Sequence, residues 1–205
     1  MTISKWCKRW LEEKYHQKVS YAPNGIDLKK FECKKRNFKG KIKILVEGNS
    51  KDYYKNVDES FKIVEKLDFE KFEIHYLSYE QEPKKWYHVD KFHHKVSHDE
   101  VGKLYQECYI LIKTSLLDSF AYPPLEMMAT GGLCVVLPND GNVEYLKDEE
   151  NCLFYEAGNI EQAVQQIKRI CKDKKLREKL IENGLKTAKK REWSKIEEEI
   201  IELYE

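Results

Sequence analysis

The chain has 205 residues, enough for one α/β core or one domain with appendages, and short for an enzyme that needs two such domains. Lys plus Arg number 37 against 36 Asp plus Glu, so the net charge of +1 gives no electrostatic reason to expect nucleic acid as a partner. No apolar run reaches the ~20 residues that span a bilayer, the N-terminus lacks a signal peptide's apolar core, and six scattered cysteines without a C-x-x-C pair suit a reducing compartment; a cytoplasmic protein is expected.

Residues 4–14 read as a helix carrying Trp6, Trp10 and Leu11, followed by Lys18-Val-Ser-Tyr-Ala-Pro23 and a tight turn at Asn24-Gly25. Two Trp beside Lys5, Lys8 and Arg9 fit either a membrane-surface helix or a packing face against another domain, and the packing face is the expectation. The Lys-rich stretch 31–43 reads as the connection between parts. From there strands and helices alternate. Residues 41–47 predict a strand ending in Gly48, and Asn56 predicts the cap of a helix through Leu67 with Phe61, Val64 and Leu67 on one face. Residues 72–77 are the next strand and 92–96 a weaker one. Ser97-His-Asp-Glu100 is a capping box for a helix with Val101, Leu104 and Tyr105. Residues 110–115 and 133–138 read as buried strands, with a helix opened by Pro123 and Pro124 between them. Gly141 and Asn142 start a short helix through Leu146, and residues 152–155 form a short strand. Asn159, Asp173 and Ser194 each cap a further helix, the last running to Tyr204 with Ile196, Ile200 and Tyr204 as an apolar stripe. That stripe, with Trp6 and Trp10, is expected to stand exposed as an interaction face, with packing onto the chain's own sheet as the alternative. The alternation predicts α/β architecture: a single doubly wound, mostly parallel, Rossmann-like sheet. The expected partition is 1–30 as N-terminal helix and hinge, 31–192 as the domain, and 193–205 as a crossing helix.

Asp118 and Glu126 bracket seven residues across a loop that enters a helix. Glu126 is expected in the first helical turn, beside free backbone N–H groups and the positive end of the helix dipole. Such a place receives phosphate, and an adjacent carboxylate can hold the hydroxyls of a sugar or ribose. Glu144 is expected to be structural. His88, His93, His94 and His98 invite a metal reading, but a helix starts at Ser97 between His94 and His98, so those two share no helical face and no metal site is expected.

The stretch Thr114-Ser-Leu-Leu-Asp-Ser-Phe-Ala-Tyr-Pro-Pro-Leu-Glu-Met-Met-Ala-Thr-Gly-Gly132 resembles the acidic–seven–acidic motif of glycosyltransferase family 4, retaining nucleotide-sugar transferases built from two Rossmann-like domains in the GT-B arrangement. Both acids are usually Glu; here the first is Asp118. Pro23-Asn-Gly-Ile-Asp27, Leu45-Val-Glu-Gly48 with Lys55, Ala129-Thr-Gly, Asn142-Val-Glu144 and Asn151-Cys-Leu appear in the family's order. The resemblance runs over 18–205 and covers the donor-binding half alone. It implies that Lys55 neutralises the donor diphosphate beside Gly48, with Asn49 where the family usually has Arg. It implies that Phe120, Ala121 and Tyr122 present backbone N–H groups, and that Val96 faces the nucleobase. Glu126 becomes the ribose-binding acid and Asp118 the sugar-contacting acid, together the catalytic pair. The donor is then a nucleotide-diphospho-sugar, with no cofactor, and the acceptor a polysaccharide or lipid-linked. An N-terminal acceptor-binding domain is implied in cis or in trans, with peripheral contact at the inner face of the membrane and an inactive isolated chain. The alternative, resting on the departures at Asp118 and Asn49, is a non-catalytic donor-binding or scaffolding subunit that pairs with another chain.

Overall fold

A computed structural model describes residues 1–203, apart from the His98 side chain; the expected end of the last helix at Tyr204 lies outside the described residues. The chain opens with α1 (Lys5–Tyr15), where the Ser4 hydroxyl accepts from the Cys7 N–H at 3.2 Å. Then follow β1 (Ile42–Glu47), a single 3-10 turn (Tyr53–Lys55), α2 (Val57–Val64), β2 (Phe72–Ser78), β3 (Lys91–His94) and α3 (His98–Glu107). The second half is β4 (Ile110–Lys113), α4 (Tyr122–Ala129), β5 (Leu133–Val136), β6 (Leu153–Phe154), α5 (Ile160–Lys172), α6 (Lys174–Lys190) and α7 (Trp193–Ile201).

The six strands form one all-parallel sheet in the order β3-β2-β1-β4-β5-β6. Central strands buried on both faces need apolar residues at nearly every position, which is why β1, β4 and β5 are short aliphatic runs. Alternate side chains then serve opposite faces. Ile44, Val46, Ile110 and Ile112 join Phe61, Ala163 and Ile167 on one face. Leu45, Leu111 and Cys134 join Leu104, Leu125 and Met128 on the other. The expected doubly wound fold is the observed one. From β1 the chain steps outward to β2 and β3, whereas from β4 it steps the other way to β5 and β6. The carboxyl ends of β1 and β4 therefore flank the crevice where open α/β sheets place ligands.

Several local expectations are corrected. Asn56 sits at φ 50° and makes no side-chain cap; its amide donates instead to Glu59 Oε2 at 2.9 Å. Residues 141–145 are turns rather than a helix: the Asn139 side-chain oxygen accepts from the Gly141 and Asn142 N–H groups as a cap would, but the i→i−4 bonds that follow, Val143 to Asn139 and Leu146 to Asn142, are not consecutive. Ser194 does not cap the last helix, which begins one residue earlier. Ile26 donates to the Arg191 carbonyl at 2.7 Å and accepts from the Trp193 N–H at 3.1 Å, so tertiary pairing sets that start. Of the predicted stripe's described residues on α7, Ile196 is buried and Ile200 half-buried, while Trp193 and Ile201 are exposed; Tyr204 lies outside the described residues. On α1, Trp10 is exposed and Trp6 half-buried.

The Lys-rich connection is anchored by Arg36. Its guanidinium donates to the carbonyls of Cys108 and Tyr105, each at 2.6 Å, and to Thr130, tying down the C-terminal ends of α3 and α4. Burial lowers this guanidinium's pKa to about 10. No helix among the described residues is long and apolar enough to cross a membrane.

Candidate functional site

At the end of β1 the chain turns through Gly48 at φ 143°, where a Cβ would lie 3.0 Å from Val57. Only glycine holds that conformation without strain. The turn leads to Lys55. Two bonds fix the backbone there against the end of β4: the Thr114 hydroxyl donates to the Asn56 carbonyl at 2.7 Å, and the Leu116 N–H to the Tyr54 carbonyl at 2.8 Å. The loop after β4 carries Asp118 to Lys55, and Lys55 Nζ lies 2.8 Å from Asp118 Oδ1. Asp118 is nearly buried, with Lys55 partly open to solvent. Asn139, just past β5, donates to the Ser115 carbonyl at 2.9 Å and to Asp118 Oδ2 at 3.3 Å. Gly141 packs so closely that a Cβ would stand 1.9 Å from the Asp118 carbonyl oxygen.

Between these groups lies a second pair that sequence reading missed. Lys113, the last residue of β4, is buried and holds Glu47, the last residue of β1, at 2.6 Å. Its signal was a lysine closing an otherwise aliphatic strand. Glu126 faces the same region. It stands in the second turn of α4, not the first as expected, because the helix starts at Tyr122 and the two prolines fill its first turn. Prolines carry no N–H, so that turn offers fewer open donors than a helix start without them. Burial and then Glu47 push the Glu126 carboxyl up to about 7, against the opposing pull of the Tyr105 hydroxyl, Lys113 and Lys30. Glu47, Tyr79, Tyr105, Tyr122 and Glu126 line one cavity of about 210 Å³. Tyr122 and Glu126 also border a larger cleft of about 920 Å³, shared with Lys30, Lys103 and Trp193.

The remaining predicted residues are placed as follows. Asn49 donates to Glu80 at 2.8 Å and accepts from the Lys51 N–H at 3.1 Å, closing its own loop. Phe120 buries its ring against Tyr145 at 5.2 Å with the Arg191 guanidinium 5.1 Å above it, so its backbone alone is available to a ligand. The Ala121 carbonyl accepts from the Tyr145 hydroxyl. Val96 lines a separate cleft at the β3–α3 edge with Glu100 and Leu104. Glu144 is structural, as expected: it accepts from the Lys5 N–H at 2.9 Å, from Arg191 at 3.0 Å and from the Tyr21 hydroxyl.

Of the histidines, His93 contacts the buried His75 at 3.0 Å, and His75 meets Glu73 at 2.6 Å. Burial and the neighbouring His75 lower His93 to about 4. The His98 side chain lies outside the described residues. Among the described residues, no group of three or more His, Cys, Asp or Glu could hold a metal ion.

Residues 29–187 match the family described as "Glycosyl transferases group 1". A sequence comparison with curated proteins finds no match. Among solved structures, a sucrose-phosphate synthase from Thermosynechococcus elongatus superposes with a TM-score of 0.83 at 15% identity, over 99% of this chain and 56% of its own. The Anabaena protein HepE, solved in complex with UDP-glucose, superposes with a TM-score of 0.76 at 14% identity, over 90% and 57%. The C-terminal domain of the group 1 family protein LpcC from Francisella tularensis gives 0.62 at 16% identity, over 82% of this chain and 98% of that domain. Identities this low speak for the fold alone, which is one half of the GT-B architecture. The chain thus spans under three fifths of the first two proteins and nearly all of the third.

Proposed function

The chain belongs to the group 1 glycosyl transferases, and from that premise we propose that it is the donor-binding half of a retaining enzyme that transfers a sugar from a nucleotide-diphospho-sugar to a polysaccharide or lipid-linked acceptor. The observation that carries this reading is the Lys55–Asp118 pair at the sheet's switch point, a cation and a carboxylate 2.8 Å apart on separate loops. In the free chain each satisfies the other. A bound donor would separate them, drawing Lys55 to the diphosphate and leaving Asp118 to accept from a sugar hydroxyl.

Gly48 lets the backbone approach the phosphates, with the N–H groups of Ala121 and Tyr122 and the backbone of Phe120 beside them. Asn49 borders this loop in place of a cation, and Val96 reaches the nucleobase through its backbone. Glu126, the other half of the catalytic pair, accepts from the ribose. As the glycosidic bond breaks, charge develops on the departing diphosphate, and Lys55 with the amino end of α4 stabilises it. A ligand such as the UDP-glucose bound by HepE has this chemistry. Residues 31–192 form the donor domain, 1–30 the hinge side and 193–205 the crossing segment. An acceptor-binding domain, in cis or in trans, supplies the rest, in the cytoplasm or at the inner face of a membrane.

A second reading, a non-catalytic subunit that binds donor for a partner chain, is favoured by Asn49: it is engaged with Glu80 where a second phosphate-binding cation would serve transfer. A thermal-shift screen over nucleotide-diphospho-sugars, nucleoside diphosphates and nucleosides tests the shared premise. The diphosphates and their sugars should raise the melting temperature well above the nucleosides. A flat response across the set would rule out both readings.

A further inference from the structure

The donor reading leaves Glu47 and Lys113 without a role. Lys113 is 1% exposed, and its Nζ lies 2.6 Å from Glu47 Oε2. A buried ion pair of this kind is weak evidence for stability, since apolar residues of similar volume often serve as well. Glu47 is not sealed in with it. Its side chain is 18% exposed and lines the 210 Å³ cavity together with Glu126. Lys113 occupies Oε2, so Oε1 is left to accept.

Charge decides what that cavity can take. With both carboxylates ionised, Glu47, Lys113 and Glu126 sum to one negative charge, which repels phosphate and favours neutral hydroxyl donors. A divalent cation is the other way to join two carboxylates, but Lys113 already supplies the cation to Glu47. The remaining walls are Tyr79, Tyr105 and Tyr122 with the apolar Leu77, Val101 and Pro123, and the volume suits one sugar ring better than a whole nucleotide.

We propose that Glu47 is a second hydroxyl-accepting carboxylate of the donor site, acting with Glu126 on the vicinal diol of the nucleotide's ribose, and that Lys113 is the positioning residue that holds it. This rests on the donor-binding reading. It orients the ligand, with hydroxyls toward Glu47 and Glu126 and the diphosphate away from them, toward Lys55.

The test is calorimetry on the whole chain with uridine, guanosine and adenosine diphosphates, each beside its 2′,3′-dideoxy analogue. The wild type should prefer the ribose form of the diphosphate it binds by at least about tenfold, the scale of hydrogen bonds to charged acceptors. Glu47→Gln should bring that ratio to within a few-fold while leaving affinity for the dideoxy form unchanged. Lys113→Met should do the same. If it fails to fold, the double variant Glu47→Leu with Lys113→Met replaces the pair by apolar groups and should show the same collapse. A wild-type ratio retained in Glu47→Gln, or equal losses for both ligands, overturns the proposal and leaves the donor reading standing. A wild type that binds none of the diphosphates overturns both.

Discussion

Glu126 carries two opposed demands. Its carboxyl is held at about 7 rather than the ordinary 4.5, because burial and Glu47 both penalise the charge. An acid whose folded pKa is raised contributes stability that is fully present below its unfolded pKa and is lost as pH rises through the folded value. Glu126→Gln should therefore melt with the wild type near pH ~4 and above it near pH ~8, in thermal scans across that window. On the proposed ribose role, binding has the opposite sign. A ribose needs the ionised acceptor, so nucleoside diphosphate affinity should rise with pH through about 7 and then level off. Calorimetry across that range should show a steeper rise in the wild type than in Glu126→Gln, where only the ligand's terminal phosphate, with a pKa of about 6, still titrates; the variant should also bind more weakly by roughly 1.5–3 kcal/mol above the transition. Lys55 and Asp118 make a second residue-scale case. Lys55→Ala leaves the 4% exposed Asp118 carboxylate without its cation, so the single variant should melt below the double variant Lys55→Ala with Asp118→Asn. It should also lose far more affinity for a nucleoside diphosphate than for the bare nucleoside, as measured by titration.

At the scale of elements, the site is aimed by loops that rigid strands hold in place. Asn139 links the loop after β5 to the loop after β4, and the close approach of Gly141 to the Asp118 backbone sets their spacing. Gly141→Ala places a methyl at 1.9 Å from a carbonyl oxygen, so one loop must move. The expected cost is about 1–3 kcal/mol or more in denaturant unfolding, with weakened donor binding alongside it. The start of α4 shows a different constraint. Pro123 and Pro124 open the helix efficiently, yet they remove N–H groups that an anion would use. In the proposed donor site, Lys55 would therefore carry more of the phosphate recognition than a helix terminus would otherwise leave to it.

At the scale of the molecule, the parallel sheet gathers Glu47, Lys55, Lys113 and Asp118 at one end by sending its two crossover series apart. Both chain ends lie against the same body: Ile26 pairs with Glu192, and α1 is tied through Lys5 and Tyr21 to Glu144. Trp10, Trp193 and Ile201 remain exposed on these end segments. The proposed half-enzyme reading expects donor binding without turnover. Radiolabelled sugar transfer should be absent with the purified chain and appear when a candidate acceptor-binding domain is added. Robust transfer by the chain alone would overturn that reading.

The chain's alternation of aliphatic runs with capped amphipathic helices was enough to determine a doubly wound parallel sheet, since short strands buried on both faces and helices with one apolar face have few other ways to pack. The spacing of Asp118 and Glu126, with Gly48 and Lys55 upstream, likewise pointed to the sheet end where the candidate site is proposed. What sequence could not decide depended on partners distant along the chain. The start of α7 at Trp193 is set by Ile26, 167 residues away, through hydrogen bonds that local capping residues do not foretell. The Asn139 side chain that caps the turns at residues 141–145 is also committed to Ser115, a partner the local sequence does not show. The pairing of Glu47 with Lys113 appears only once β1 and β4 lie side by side, and with it comes the charge environment that lifts Glu126. Apolar periodicity is local and survives in one dimension; the charge felt by a buried carboxyl is a sum over neighbours that only the folded sheet assembles.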